Sequence, residues 1–189
     1  MALVFIKSQS ASDSAGLSFV SGASSVVFDG TYKEYKFYIV NLHPTTNAYY
    51  LSFKTSTDAG SSYGVSSTTT YYRMGHTEAG STFGASYVSS YDHTSPAEEA
   101  TTDPIYLAED TGSDDADKSI SAVFTIYDPA SPTYVKHFQA ETITCNGGDQ
   151  QTHQHVAGYV NTAADVDAIK FQFSHGNIAT GTIYMYGVS

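Results

Sequence analysis

Tryptophan is absent from this 189-residue sequence, cysteine occurs once, and proline five times. A lone cysteine, Cys145, excludes an intrachain disulfide and with it the stapled, secreted mini-domain. Nothing close to Cys145 in sequence supplies the electropositive setting that activates a thiol, so it reads as a small buried apolar side chain. Basic residues are also few: 8 Lys and Arg against 19 Asp and Glu, a formal net charge of -11. That balance argues against nucleic acid, whose binders need a cationic stripe to displace counterions from phosphate, and against an anionic membrane surface. No apolar run approaches the roughly 18 residues of a membrane-spanning helix. Residues 1–6 are apolar but too short for a signal-peptide core, so synthesis in a cytoplasm is expected. Leu, Glu, Lys and Arg are scarce, which removes the strongest helix formers after alanine.

What remains is strand chemistry. Sixteen Tyr and ten Phe stand among abundant Val, Thr and Ser, a composition that points to an all-β chain. Residues 33–42 form the clearest strand, with Tyr35, Phe37 and Ile39 on one face and Tyr38, Val40 and Leu42 on the other. His43-Pro44 ends it, and residues 48–55 follow as its apparent hairpin partner. Residues 119–127 alternate with Ile120, Ala122, Phe124 and Ile126 on one side. Residues 134–145 form a long strand, Asn146-Gly147-Gly148-Asp149 a turn, and residues 151–161 a strand with an unusually polar face. At the C-terminus Ile169, Phe171 and Phe173 alternate with Lys170 and Gln172, and Ser174-His175-Gly176-Asn177 is turn chemistry. Residues 181–188 then carry Ile183 and Met185 on one face and Tyr184, Tyr186 and Val188 on the other. A terminal strand apolar on both faces is expected to be central or covered, in a C-terminal hairpin. About nine to eleven short strands, no convincing helix and no repeat predict one domain, residues 1–189, built as a single antiparallel β-sandwich of jelly-roll type. A sandwich of other topology is the alternative.

Four groups of residues have the look of chemistry. Ser56-Thr57-Asp58-Ala59-Gly60-Ser61-Ser62-Tyr63 fits the Asp-box hairpin pattern, in which Asp58 binds turn amides, Gly60 takes the strained position and Tyr63 packs back. Sialidase propellers carry several copies; a single copy is a turn. His153 and His155, two residues apart on a strand, share a face and can reach one metal ion. With Gly147 the spacing matches half of the cupin motif, but Tyr159 and Val160 stand where its Glu is needed. Glu109, Asp110, Asp114, Asp115 and Asp117 crowd one stretch without EF-hand spacing and read as a solvated acidic loop. Glu98 and Glu99, beside His93 and Pro96 in a polar loop, have no fixed carboxylate partner. No G-x-S-x-G elbow, P-loop or dinucleotide fingerprint occurs, so neither catalytic residues nor a cofactor are expected. Tyr49, Tyr50, Tyr71, Tyr72, Tyr87 and Tyr91 lie in or beside loops, where rings stack on sugars or anchor protein interfaces.

The segment Tyr32-Lys33-Glu34-Tyr35-Lys36-Phe37-Tyr38-Ile39-Val40-Asn41-Leu42-His43-Pro44 resembles a block common in virion structural proteins of tailed bacteriophages, marine ones especially. The ending Gly176-Asn177-Ile178-Ala179-Thr180-Gly181-Thr182-Ile183-Tyr184-Met185-Tyr186-Gly187-Val188 is similar to their closing G-N-I-A-x-G-T-I-x-L-Y-G-I, and residues 3–12 also fit. The resemblance brackets nearly the whole chain. It implies a non-enzymatic component of a phage particle, a capsid decoration or a fibre and receptor-binding tip, located in the virion. It implies partners as well: further copies of the chain in a homotrimer, capsid or tail proteins, and a host surface glycan. In trimeric phage fibres a His-x-His pair from each chain can enclose one ion on the axis; His153 and His155 are the matching pair, though Gln151 stands where those motifs often carry Gly. The alternative function is a carbohydrate-binding β-sandwich module.

Overall fold

The computed structural model describes residues 2–47, 49–92, 105–113 and 115–189. Glu98, Glu99, His93, Pro96 and Asp114 lie outside the described residues, as does the side chain of Asp110. Twelve strands follow in order: β1 (Leu3–Ser10), β2 (Leu17–Val20), β3 (Glu34–Pro44), β4 (Tyr49–Ser56), β5 (Ser67–Thr77), β6 (Thr82–Tyr87), β7 (Ile105–Thr111), β8 (Ile120–Tyr127), β9 (Lys136–Cys145), β10 (Gln150–Val160), β11 (Ala168–Phe173) and β12 (Ile178–Val188). Among the described residues the one helical element is a 3-10 turn, Ser89–Tyr91.

An eight-stranded sheet runs β1-β12-β3-β8-β9-β10-β5-β6, and a four-stranded sheet runs β2-β11-β4-β7. Every pairing is antiparallel. Within the sheets β1 pairs with β12, β3 with β8, β2 with β11 and β4 with β7. That nesting of first strand with last is the jelly roll expected from the sequence. Two hairpins, β5–β6 and β9–β10, widen the larger sheet beyond β8.

The core follows from period-two alternation. Tyr35, Phe37 and Ile39 of β3, Leu51 and Phe53 of β4, Phe124 of β8, Phe138 of β9 and Phe171 of β11 are all buried between the sheets. Phe124 meets three of these rings edge-on or tilted, Phe53 at 4.6 Å, Phe171 at 5.5 Å and Phe37 at 5.9 Å, centroid to centroid, and stacks on Phe138 at 5.9 Å. β12 lies between β1 and β3, as its two apolar faces predicted, and its inner residues Ile183 and Met185 are fully buried.

The structure corrects the reading of strands and loops in three places. First, β3 and β4 do not pair as a hairpin, and neither do β11 and β12; each couple is split between the two sheets. Both members of each couple carry apolar inner faces, and splitting them sets those faces against each other. The two connections instead lie side by side. The Thr45 N–H donates to the Asn177 carbonyl (2.9 Å), the Asn177 N–H donates to Thr45 Oγ1 (2.8 Å), and Tyr49 stacks on His175 at 4.7 Å. Second, Leu42 is fully buried and not on the Tyr38 face. Asn41 takes φ +50° and the β3–β8 register jumps between Ile39 and Leu42, a bulge that turns Leu42 inward. Gly181, at φ +112° in β12, makes room for it: a Cβ there would run into the Asn41 carbonyl and Leu42. Third, Glu109 is not in a solvated acidic loop. It lies in β7, buried, with its carboxylate accepting from the Arg73 guanidinium of β5.

The turn after β4 behaves as its pattern requires. Asp58 accepts from the Ser62 N–H (2.9 Å), Ser62 Oγ (2.6 Å) and Ser56 Oγ (2.7 Å), and Gly60 takes φ +77°. The Ser62 side chain and amide, then Ser56, hold the Asp58 carboxyl down to about 2, from an ordinary 3.8. A depressed carboxyl pKa contributes stability that is present above the unfolded value and lost as pH falls through the folded one. Asp58→Asn is therefore expected to be less stable than the parent chain at pH 5, with the gap closing as pH falls from about 4 to about 2. Urea midpoints of both chains across that range check it.

Candidate functional site

The outer face of the large sheet is where side chains of functional type gather. Along β10 the inward residues Thr152, Gln154 and Val156 are buried, which turns His153, His155 and Ala157 outward. The turn at residues 146–149 fixes the β9–β10 register: His155 pairs with Glu141 and His153 with Ile143. On the other side β5 sets Tyr72 opposite His155 and Met74 opposite His153. Asn146 builds the turn, its Oδ1 accepting from the N–H groups of Gly148 (2.9 Å) and Gln150 (3.1 Å).

His153 and His155 are brought together as their spacing predicts, with ring centroids 4.5 Å apart. Glu141 joins them from the neighbouring strand. Its Oε1 lies 2.9 Å from His153 Nε2 and 3.9 Å from His155 Nε2. One ligand atom from each of the three falls within 4.8 Å of the others. The His155 ring lies flat on Tyr72, 4.9 Å apart and 6° from parallel. Stacking uses the π face and leaves the in-plane nitrogen lone pair free, so the imidazole is oriented without losing its ligating capacity. Beside the triad runs an open trough of about 410 Å³, bordered by Lys36, Tyr72, Val123, Gln139 and Glu141 among others. Glu141 was missed by sequence reasoning. Counting outward from a four-residue 146–149 turn would pair 155 with 140; the pairing with 141 arises because the Asn146 N–H bonds the Gln150 carbonyl across the turn, a one-residue shift that the turn residues alone do not announce.

The six tyrosines do not form one row. Tyr71 is fully buried, so it is no contact for a ligand or a partner; it sits on the inward period of β5 with Ser67 and Thr69. Tyr50 packs on Tyr106 (4.5 Å) and on Tyr91 (5.6 Å), and Tyr91 packs edge-on against Tyr71 (5.1 Å). Burial pushes the Tyr71 and Tyr91 hydroxyls well above the usual phenol range. Tyr49 lies on His175, away from this cluster. Tyr72 and Tyr87 are directly paired across β5–β6 and exposed, at 41% and 60%, and the Tyr87 hydroxyl donates to Asp92.

Large apolar side chains also stand open on this face. Ile143 is 52% exposed beside the triad; Phe5 (55%) and Val40 (42%) lie toward the β1 edge, where Phe5 meets Tyr186 edge-on at 5.6 Å. Cys145 ends β9 half-buried, and burial pushes its thiol up, the opposite of an activated nucleophile. Comparison with protein-family models, with curated proteins and with solved structures finds no match to this chain.

Proposed function

We propose that the chain is a non-enzymatic structural subunit of a tailed-phage particle, a surface component of capsid or tail that assembles as a homotrimer. The observation that carries the reading is the outer face of the large sheet. Phe5, Val40, Tyr72, Met74 and Ile143 leave it apolar over both flanks, whereas the inner face is buried within the chain, against the smaller sheet and Tyr91. Water-exposed rings and branched side chains of that density gain by packing on a neighbour, at about 25 cal/mol per Å² of apolar surface covered. The sequence blocks at residues 32–44 and 176–188 supply the kind of neighbour, since both resemble virion proteins. Both blocks are structural here: the first is β3 with its bulge, the second is β12, and the two strands pair. The resemblance therefore falls on the residues that close the jelly roll. It carries no catalytic role.

Gold labelling of purified particles with an antibody to this chain tests the reading. Regularly spaced label on the capsid or tail is expected, at copy numbers divisible by three. Particles that lack the chain altogether contradict it.

A further inference from the structure

We propose that Glu141, His153 and His155 of a single chain form a binding site for one transition-metal ion of the zinc class. Two imidazoles and a carboxylate are donors that favour zinc, cobalt, nickel or copper over calcium and magnesium, which take oxygen. The donors are in place without rearrangement of the backbone. His153 and His155 project from the same face of β10, and Glu141 projects beside them from β9 in a hairpin whose register the Asn146 turn locks. Metal–donor bonds of about 2.0–2.1 Å require tetrahedral donors about 3.4 Å apart. The present separations, 2.9 Å, 3.9 Å and none above 4.8 Å, bracket that value. Closing the site is a matter of side-chain rotation.

Three neighbours favour an ion over a simple His–carboxylate hydrogen bond. Tyr72 holds the His155 ring by its face, which directs Nε2 in the sheet's outward plane toward Glu141. Met74 and Ile143 flank His153 from the two adjacent strands and give the cluster an apolar border. Three protein donors on one side leave the outer coordination positions open, since the side chains of His153, His155 and Glu141 remain 27%, 32% and 57% exposed. Those positions would take water or a donor from a neighbouring molecule. The site is complete within one chain, so it stands whether or not the chain is a virion subunit. It also differs from an ion shared on a three-fold axis, where only the imidazoles of each copy are needed.

Zinc titration of the full chain, followed by competition with a chromophoric chelator, is the test. One zinc per chain is expected, with cobalt giving the visible absorption of a four-coordinate site. Glu141→Gln removes a charged donor from an exposed position and is expected to weaken zinc binding at least tenfold, an order set by what outer-shell changes alone cost. His155→Phe keeps a ring stacked on Tyr72 while deleting the donor, and is expected to weaken binding as much; its circular dichroism checks that the fold persists. Absence of saturable zinc binding overturns the proposal. So does one zinc per three chains with Glu141→Gln unchanged, and so does one zinc per chain that survives either substitution.

Discussion

Phe124→Ala is expected to lower stability by about 3–5 kcal/mol. Phe124 is fully buried in β8, the strand at which the jelly roll meets the added hairpins. Its ring contacts Phe37 in the same sheet, Phe53 and Phe171 in the opposing sheet, and Phe138 on the adjacent β9. Truncation removes transfer free energy and leaves a void walled by four rings. None of those rings can swing in without losing its own edge contact, so the cavity collapses poorly. For a domain of this length each kcal/mol moves the melting temperature by about 2–4 °C, so a fall of about 10 °C is the expected reading. Phe5→Ala, on an exposed ring of similar size, is the control and is expected to leave the isolated chain's midpoint nearly unchanged.

Arg73→Ala is expected to destabilise by a similar amount, about 3–5 kcal/mol, for an electrostatic reason. The Glu109 carboxylate is only 3% exposed, while the Arg73 side chain that pairs with it is 37% exposed. Removing the arginine strands a carboxylate with little access to water, and the desolvation that the ion pair offset is then uncompensated. Glu109→Gln removes the charge together with the need for its partner, and is expected to be milder. Replacing both residues with apolar ones of like volume, Arg73→Met with Glu109→Leu, is expected to recover most of the loss. Denaturant midpoints of the parent and these three variants make the comparison. An Arg73→Ala chain as stable as its parent contradicts the assignment of Glu109 as a buried ion.

The two cases mark how far the sequence can be read. Phe124 is legible because alternation over Ile120, Ala122, Phe124 and Ile126 says which side faces inward, and the structure buries that side. Composition and turn spacing likewise carry the jelly roll. Alternation is silent about which strand pairs with which. That is why residues 33–42 and 48–55 read as a hairpin, when the connection crosses from one sheet to the other. It is also silent about inserted residues, and one residue in a bulge was enough to send Leu42 to the core. Glu109 was misread for a different reason. Acidic density along the chain suggests solvent, but burial is decided by Arg73, which arrives from a strand 36 residues away. Lys136 shows the same limit: its ammonium donates to the carbonyls of Ser131 (2.5 Å), Tyr134 (2.7 Å) and Thr162 (3.3 Å), acceptors that no local pattern announces. Burial pushes that ammonium below the usual lysine range, and the three carbonyls keep it satisfied. His153 and His155 were visible as a pair because i and i+2 share a strand face. Glu141 required the hairpin register, and the register required the turn.

We propose that the outer face of the eight-stranded sheet is covered by other copies of the chain. Sedimentation equilibrium of the purified chain at micromolar concentration tests it most directly. A species of three times the 20.3 kDa chain mass is expected, shifted toward the single chain by Ile143→Asp on that face. A parent chain that sediments at 20.3 kDa across the whole concentration range contradicts it.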